Sequence, residues 1–70
     1  MTSRDLVRRL LDHGCVLVRQ RGSHARYLSP CGNCATTVPI HAGRDLPGGT
    51  LKAIERDMTP CLGSDWLKRR

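Results

Sequence analysis

The sequence predicts an α+β fold in which two helices cover one face of a three-stranded antiparallel sheet. Three features predict it: an amphipathic N-terminal stretch, three β-rich segments separated by turn residues, and a second helical pattern after a glycine-rich connection. With 70 residues, the chain has the length of one small domain, and we expect residues 1–70 to form it. Hydrophobic residues make up 39% of the chain but aromatic residues only 3%. We therefore expect a folded domain with a small core.

The first helix is predicted from apolar residues that recur at helical spacing: Leu6, Val7, Leu10 and Leu11. Thr2 or Ser3 can cap its N-terminus, where the carboxylate of Asp5 interacts favourably with the helix dipole. Gly14 is expected to end the helix, because glycine readily adopts the left-handed conformation found there.

The three predicted strands are residues 15–20, 24–28 and 36–40. The first two are joined by a tight turn at residues 21–23, and the last two by a loop over residues 29–34. Pro39 places the third strand at an edge of the sheet or marks the point where pairing stops. Side chains alternate between the two faces of a strand. If Ala25 and Tyr27 face the helices, His24 and Arg26 lie on the open face, and the same alternation assigns His41 to that face.

The second helix is predicted to begin at Thr50, a plausible N-cap residue, and Pro60 is expected to end it or to follow its end. Its apolar positions are Leu51, Ile54 and Met58. We expect Trp66 to pack against the domain after this helix.

The charge balance indicates a polyanionic partner. Twelve Lys and Arg against six Asp and Glu give a formal net charge of +6, a bias typical of proteins that bind nucleic acid, acidic membranes or acidic proteins. The longest apolar run, residues 15–18, is too short to cross a membrane, and no export signal precedes it. We therefore expect a cytoplasmic protein without a membrane partner, whose four cysteines are reduced.

His24 is the first candidate for catalysis. Histidine transfers protons near neutral pH, and no Asp or Glu occurs between His13 and Arg44. That segment contains four arginines: Arg19, Arg21, Arg26 and Arg44. Such a composition suits chemistry on a phosphate, in which guanidinium groups stabilise charge that develops on the phosphate oxygens.

Two further motifs carry weaker signals. The glycine-rich stretch over residues 43–51 precedes a predicted helix and can present backbone N–H groups to a phosphate, but it is not a P-loop. Cys31-Gly32-Asn33-Cys34 has the spacing of half a zinc site. The possible further ligands Cys15, Cys61 and His41 are scattered single residues. We therefore expect no metal and no cofactor.

Two strings, together with their order in the chain, resemble the HicA family, small toxins of bacterial toxin–antitoxin pairs. The first is Arg19-Gln20-Arg21-Gly22-Ser23-His24, and the second is Thr37-Val38-Pro39-Ile40-His41, followed by the glycine-rich loop and a helix. The resemblance extends from about Ser3 to Leu67. It implies a fold similar to the double-stranded RNA-binding domain, with both helices on one face.

The resemblance also implies a function: a metal-independent endoribonuclease (an mRNA interferase) that cleaves mRNA, inhibits translation and is blocked by a HicB-like antitoxin. His24 matches the catalytic histidine of the family. The residues expected to bind RNA are Arg19, Arg21, Ser23, Arg26, His41 and Arg44. Two alternatives stay open on sequence grounds: a non-catalytic RNA-binding module of the same fold, and a zinc-stabilised protein–protein adaptor.

Overall fold

A computed structural model describes residues 1–68 and shows the predicted helix–sheet–helix order. The elements within that range are α1 (Ser3–Asp12), β1 (Val16–Arg21), β2 (His24–Leu28), β3 (Ala35–Pro39) and α2 (Gly48–Leu62). The strands form one antiparallel sheet in the order β1-β2-β3. The predicted α+β fold is therefore confirmed. Neither of the two described helices has the length and apolar composition to span a bilayer.

Helix α1 begins and ends as its sequence predicts. The Thr2 hydroxyl accepts a hydrogen bond from the backbone N–H of Asp5, and the Asp5 carboxylate accepts one from the N–H of Thr2. This capping box satisfies two N–H groups that the helix itself leaves unpaired. At the other end, Gly14 has a φ of 87°, which glycine adopts without steric cost. The chain can therefore turn directly into β1.

The boundaries of β1 and β3 differ from the prediction by one residue, whereas those of β2 match it. β1 starts at Val16, because the N–H of Cys15 bonds to the carbonyl of Leu10 and belongs to the exit from α1. β3 ends at Pro39, and the N–H of Ile40 bonds to the carbonyl of Ser23 in the β1–β2 turn. β3 is an edge strand, as Pro39 indicated.

Both predicted limits of α2 were wrong. The helix begins at Gly48 with Pro47 as its N-cap, and the N–H of Leu51 already bonds to the carbonyl of Pro47. It also continues through Pro60 to Leu62. Proline lacks a backbone N–H and usually disrupts a helix interior, but here the helix extends two residues beyond Pro60. Gly63, with a φ of 91°, ends the helix instead.

The core lies between the helices and one face of the sheet. Both helices contact β3, and Ala25, Tyr27 and Val38 are buried on this inner face, as the alternation predicted. Trp66 is fully buried and donates a hydrogen bond to the carbonyl of Glu55 at 2.9 Å. This confirms that the segment after α2 packs against the domain.

β1 is less covered than the other strands. All six of its residues are exposed, and the side chains of Val16, Leu17 and Val18 are each about half exposed. Its free edge and its outer face are therefore accessible to a ligand or to another macromolecule.

Candidate functional site

The outer face of the sheet carries a depression formed by the β1–β2 hairpin and β3. It is lined by Arg19, Arg21, His24, Arg26 and Thr37. Four of these residues belong to the site predicted from the sequence, and all five are exposed. The fold therefore brings His24 together with the three arginines nearest to it in the sequence.

Strand register explains why these side chains converge. Arg19 lies directly opposite Arg26, and Arg21 lies opposite His24. Side chains of directly opposed residues stand about 5 Å apart at their Cβ atoms and share one face. These two cross-strand pairs, which are neighbours on the outer face, thus place three guanidinium groups and one imidazole on a single surface.

A β-bulge in β1 places Arg19 and Arg21 on the same face of the sheet as Arg26 and His24. Leu17 pairs with Tyr27 and Arg19 pairs with Arg26, which leaves Val18 as an extra residue without a partner. If the pairing continued regularly from Leu17, Arg19 would lie opposite Ala25 on the inner face, because a shift of one residue turns side chains to the other face. The bulge therefore directs Arg19 and the residues after it toward the outer face.

The electrostatic environment of the depression is positive. No carboxylate lines it, and two carboxylates of the described chain are engaged elsewhere: Asp57 accepts a hydrogen bond from Thr36 on the inner face, and Asp5 caps α1. Arg26 donates a hydrogen bond from Nη1 to the hydroxyl of Thr37 at 3.0 Å. Like charges directly opposite each other destabilise a sheet. An anion bound between Arg19 and Arg26 would relieve that repulsion.

Three predicted site residues do not line this depression. Ser23 lies in the hairpin turn beside His24, where Gly22 has a φ of 54°. His41 and Arg44 are exposed and follow β3 in the connection to α2; the N–H of His41 donates to the hydroxyl of Ser3. The expectation that alternation along β3 continues to His41 was wrong, because the strand stops at Pro39.

Thr37 lines the depression but was not predicted as a site residue. The alternation of β3 already indicates that Thr37 is exposed, because it lies between the buried residues Thr36 and Val38. What the sequence did not show was its register with Arg26. The remaining histidine, His13, has a structural role: its ring Nε2 lies 2.9 Å from the carbonyl oxygen of Trp66.

The cysteines gather at the other end of the sheet. Cys31 and Cys61 form a disulfide, whereas Cys15 and Cys34 are buried thiols. The expectation of four reduced cysteines was therefore wrong for this pair, because the fold brings the end of α2 against the β2–β3 loop. Burial raises the pKa of the Cys15 thiol above its ordinary value of 9.0, so it stays uncharged near pH 7.

Chemically, the depression combines a proton carrier with cations arranged to hold a phosphate. Guanidinium groups bind phosphate oxygens in a planar, bidentate manner, and imidazole can accept or donate a proton. The open, exposed surface fits an extended chain better than a small enclosed molecule.

Comparison with known proteins adds one finding. A family model described as the HicA toxin of bacterial toxin–antitoxin systems matches residues 3–59, a range that includes every residue of the depression. Searches of curated proteins and of solved structures found no match.

Proposed function

The chain belongs to the HicA family of toxins, whose partners are antitoxins, and on this premise we propose that it is an endoribonuclease that cleaves mRNA and thereby inhibits translation. The observation that carries the proposal is the carboxylate-free depression in which Arg19, Arg21 and Arg26 surround His24. We assign the activity to the cytoplasm, where mRNA is translated. His24 is the proposed catalytic residue.

The proposed reaction is a transesterification within the RNA chain. The ribose 2′-oxygen attacks the adjacent phosphorus, and the bond between phosphorus and the 5′-oxygen breaks. His24 takes the proton from the 2′-hydroxyl or gives a proton to the leaving 5′-oxygen, and water or a second group handles the other proton. The products are a 2′,3′-cyclic phosphate and a 5′-hydroxyl end. Because histidine and arginine supply the proton transfer and the charge stabilisation, we expect cleavage without a divalent metal.

The arginines have two roles in this proposal. They hold the phosphates that flank the cleaved bond, and they stabilise the extra negative charge of the pentacoordinate transition state. Ser23, beside His24 in the turn, is proposed to contact the same phosphate. His41 and Arg44 lie outside the depression and are proposed to bind neighbouring nucleotides.

The partner that we propose is a HicB-like antitoxin that covers the depression. A surface rich in carboxylates would complement the three arginines and would exclude RNA by occupying the same face. Complementary charge also accelerates association, which suits the rapid neutralisation of a toxin.

The test is RNA cleavage by the purified protein in EDTA, with the far-UV circular dichroism spectrum recorded in the same buffer to verify folding. We expect cleaved RNA with 2′,3′-cyclic phosphate ends and no cleavage of DNA or of 2′-O-methyl RNA, because both lack the 2′-hydroxyl. His24→Ala is expected to bind RNA but not to cleave it. His41→Ala is the matched control, which weakens binding but keeps the single-turnover cleavage rate.

Two results would contradict this proposal. If folded wild type and His24→Ala bind RNA equally and neither cleaves it, the domain is a non-catalytic RNA-binding module. If the products carry 3′-hydroxyl ends, the 2′-oxygen is not the nucleophile.

A further inference from the structure

A second cluster of reactive side chains lies outside the depression. The Sγ atoms of Cys31, Cys34 and Cys61 all lie within 4.8 Å of one another. Cys31 and Cys34 come from the β2–β3 loop, and Cys61 comes from the last turn of α2. Cys31 and Cys61 form a disulfide, which does not explain why the thiol of Cys34 lies beside them.

We propose that Cys31, Cys34 and Cys61, when reduced, bind one zinc ion as thiolates. Zinc in proteins is usually tetrahedral, with Zn–S distances of about 2.3 Å, which places two sulfur ligands about 3.8 Å apart. No two of the three sulfurs lie more than 4.8 Å apart, so small movements would bring them to that separation. Reduction of the Cys31–Cys61 disulfide allows the Sγ atoms of these two residues to move apart to about 3.8 Å.

The β2–β3 loop is built to hold two ligands in place. The N–H of Ser29 donates to the carbonyl of Cys34 at 2.8 Å, and the N–H of Cys34 donates to the hydroxyl of Ser29 at 3.2 Å. Gly32 has a φ of 77° and bonds back to the carbonyl of Ser29. This closed turn fixes the spacing of Cys31 and Cys34 independently of any bond to Cys61.

Cys15 is the ligand that we expect at the fourth position. It precedes Val16, which pairs with Leu28, so it lies beside Ser29 at the same end of the sheet. It is almost fully buried, and it must shift toward the other three sulfurs, because it lies outside their cluster. A four-cysteine set is a common structural zinc site.

A zinc ion at this site would stabilise a domain whose composition provides only a small core. A domain of this size has a small core, and many domains of similar length are stabilised by a metal or by disulfides. Here the core contains one Trp, one Tyr and no Phe. Zinc at this site would link the β2–β3 loop to the end of α2 without covering the outer face of the sheet.

The experiment uses the full chain, reduced with a phosphine and freed of metal, and titrated with Zn²⁺ or Co²⁺. We expect one ion per chain, a thiolate-to-cobalt charge-transfer band and a higher melting temperature with zinc. Cys34→Ser removes one zinc ligand but keeps both cysteines of the disulfide, Cys31 and Cys61. We expect its zinc affinity to fall more than about 100-fold, which exceeds the effect of losing a residue that only contacts a ligand. His41→Ala is the matched control and should bind zinc like the wild type.

Two further measurements make the outcome decisive. If Cys34→Ser fails to fold, Cys34→His is examined, because histidine is also a zinc ligand and should retain the ion. X-ray absorption of the zinc-bound wild type should show four sulfur neighbours; three sulfurs and one oxygen would keep the three-cysteine site and assign the fourth position to water. The proposal is overturned if the reduced wild type binds no zinc, or if Cys34→Ser binds it as tightly as the wild type.

Discussion

Replacement of Arg19 by Gln should weaken RNA binding and stabilise the fold at the same time. Arg19 lies opposite Arg26 in the sheet, and both residues are exposed. Removing its charge relieves a like-charge cross-strand contact, an effect of about 0.2–1 kcal/mol on the free energy of unfolding. For a domain of this length, that raises the melting temperature by up to about 8 °C.

The same substitution removes one proposed phosphate contact. For single-stranded nucleic acid, each such contact contributes about −0.7 to the slope of log K against log salt concentration. Arg19→Gln should therefore reduce the steepness of that slope by about 0.7. The slope is measured by titrating 2′-O-methyl RNA, which cannot be cleaved by attack of the 2′-oxygen, over a series of salt concentrations. The melting temperature is measured in the absence of RNA.

Arg56→Gln is the matched control for charge. Arg56 is exposed on α2, a helix that packs against the inner face of the sheet. Because both variants lower the net charge equally, any general electrostatic effect appears in both. If the two variants give the same salt slope and the same melting temperature, Arg19 is an ordinary surface cation and neither contacts phosphate nor repels Arg26.

Two other predictions concern the bulge and the first helix. Deletion of Val18 should preserve RNA cleavage, because it removes the bulge but leaves Arg19 opposite Arg26 and Arg21 opposite His24. Deletion of Gln20 should abolish cleavage, because it moves Arg19 to the inner face of the sheet. Equal activity of the two folded deletion variants would contradict this register. The hydrogen bond from the Thr2 backbone lowers the pKa of Asp5 below its ordinary value of 3.8, so Asp5 stabilises the fold above that value and loses its effect as the pH falls through the lowered pKa. Asp5→Asn should therefore be destabilised at pH 7 but not at pH 2 in urea unfolding, with the exposed Asp12→Asn as control; an equal loss at both pH values would exclude the carboxylate as the cause.

Local chemistry made much of the fold predictable. The capping box at Thr2 and Asp5, the glycine after α1 and all of β2 follow from residues that interact with near neighbours in the chain. The limits of α2 were missed because propensity alone does not say whether Pro60 lies before or within the last helical turn. That outcome depends on tertiary contacts, among them the packing of the following segment around Trp66.

Four of the five residues that line the depression were among the predicted site residues, but their geometry was not predictable. His24 and its arginines stand out by composition, yet their common face depends on one unpaired residue, Val18. Its neighbours Val16 and Leu17 are equally apolar and equally exposed, so nothing in the local pattern selects the position of the bulge. The pairing of Cys61 with Cys31 was not predicted for a related reason, because 30 residues separate the two cysteines and only the packed fold brings them together.

The two ends of β2 have different tasks. Near its first residue, His24, the sheet pairs Arg19 with Arg26, and the repulsion between these like charges lowers stability. Beyond its last residue, Leu28, the Cys31–Cys61 disulfide links the loop to α2 in a domain whose core has few aromatic residues. The five residues of the strand separate these ends by about 13 Å. Because no cysteine lines the depression, cysteine variants should lower the melting temperature without altering the proposed cleavage rate of the folded protein.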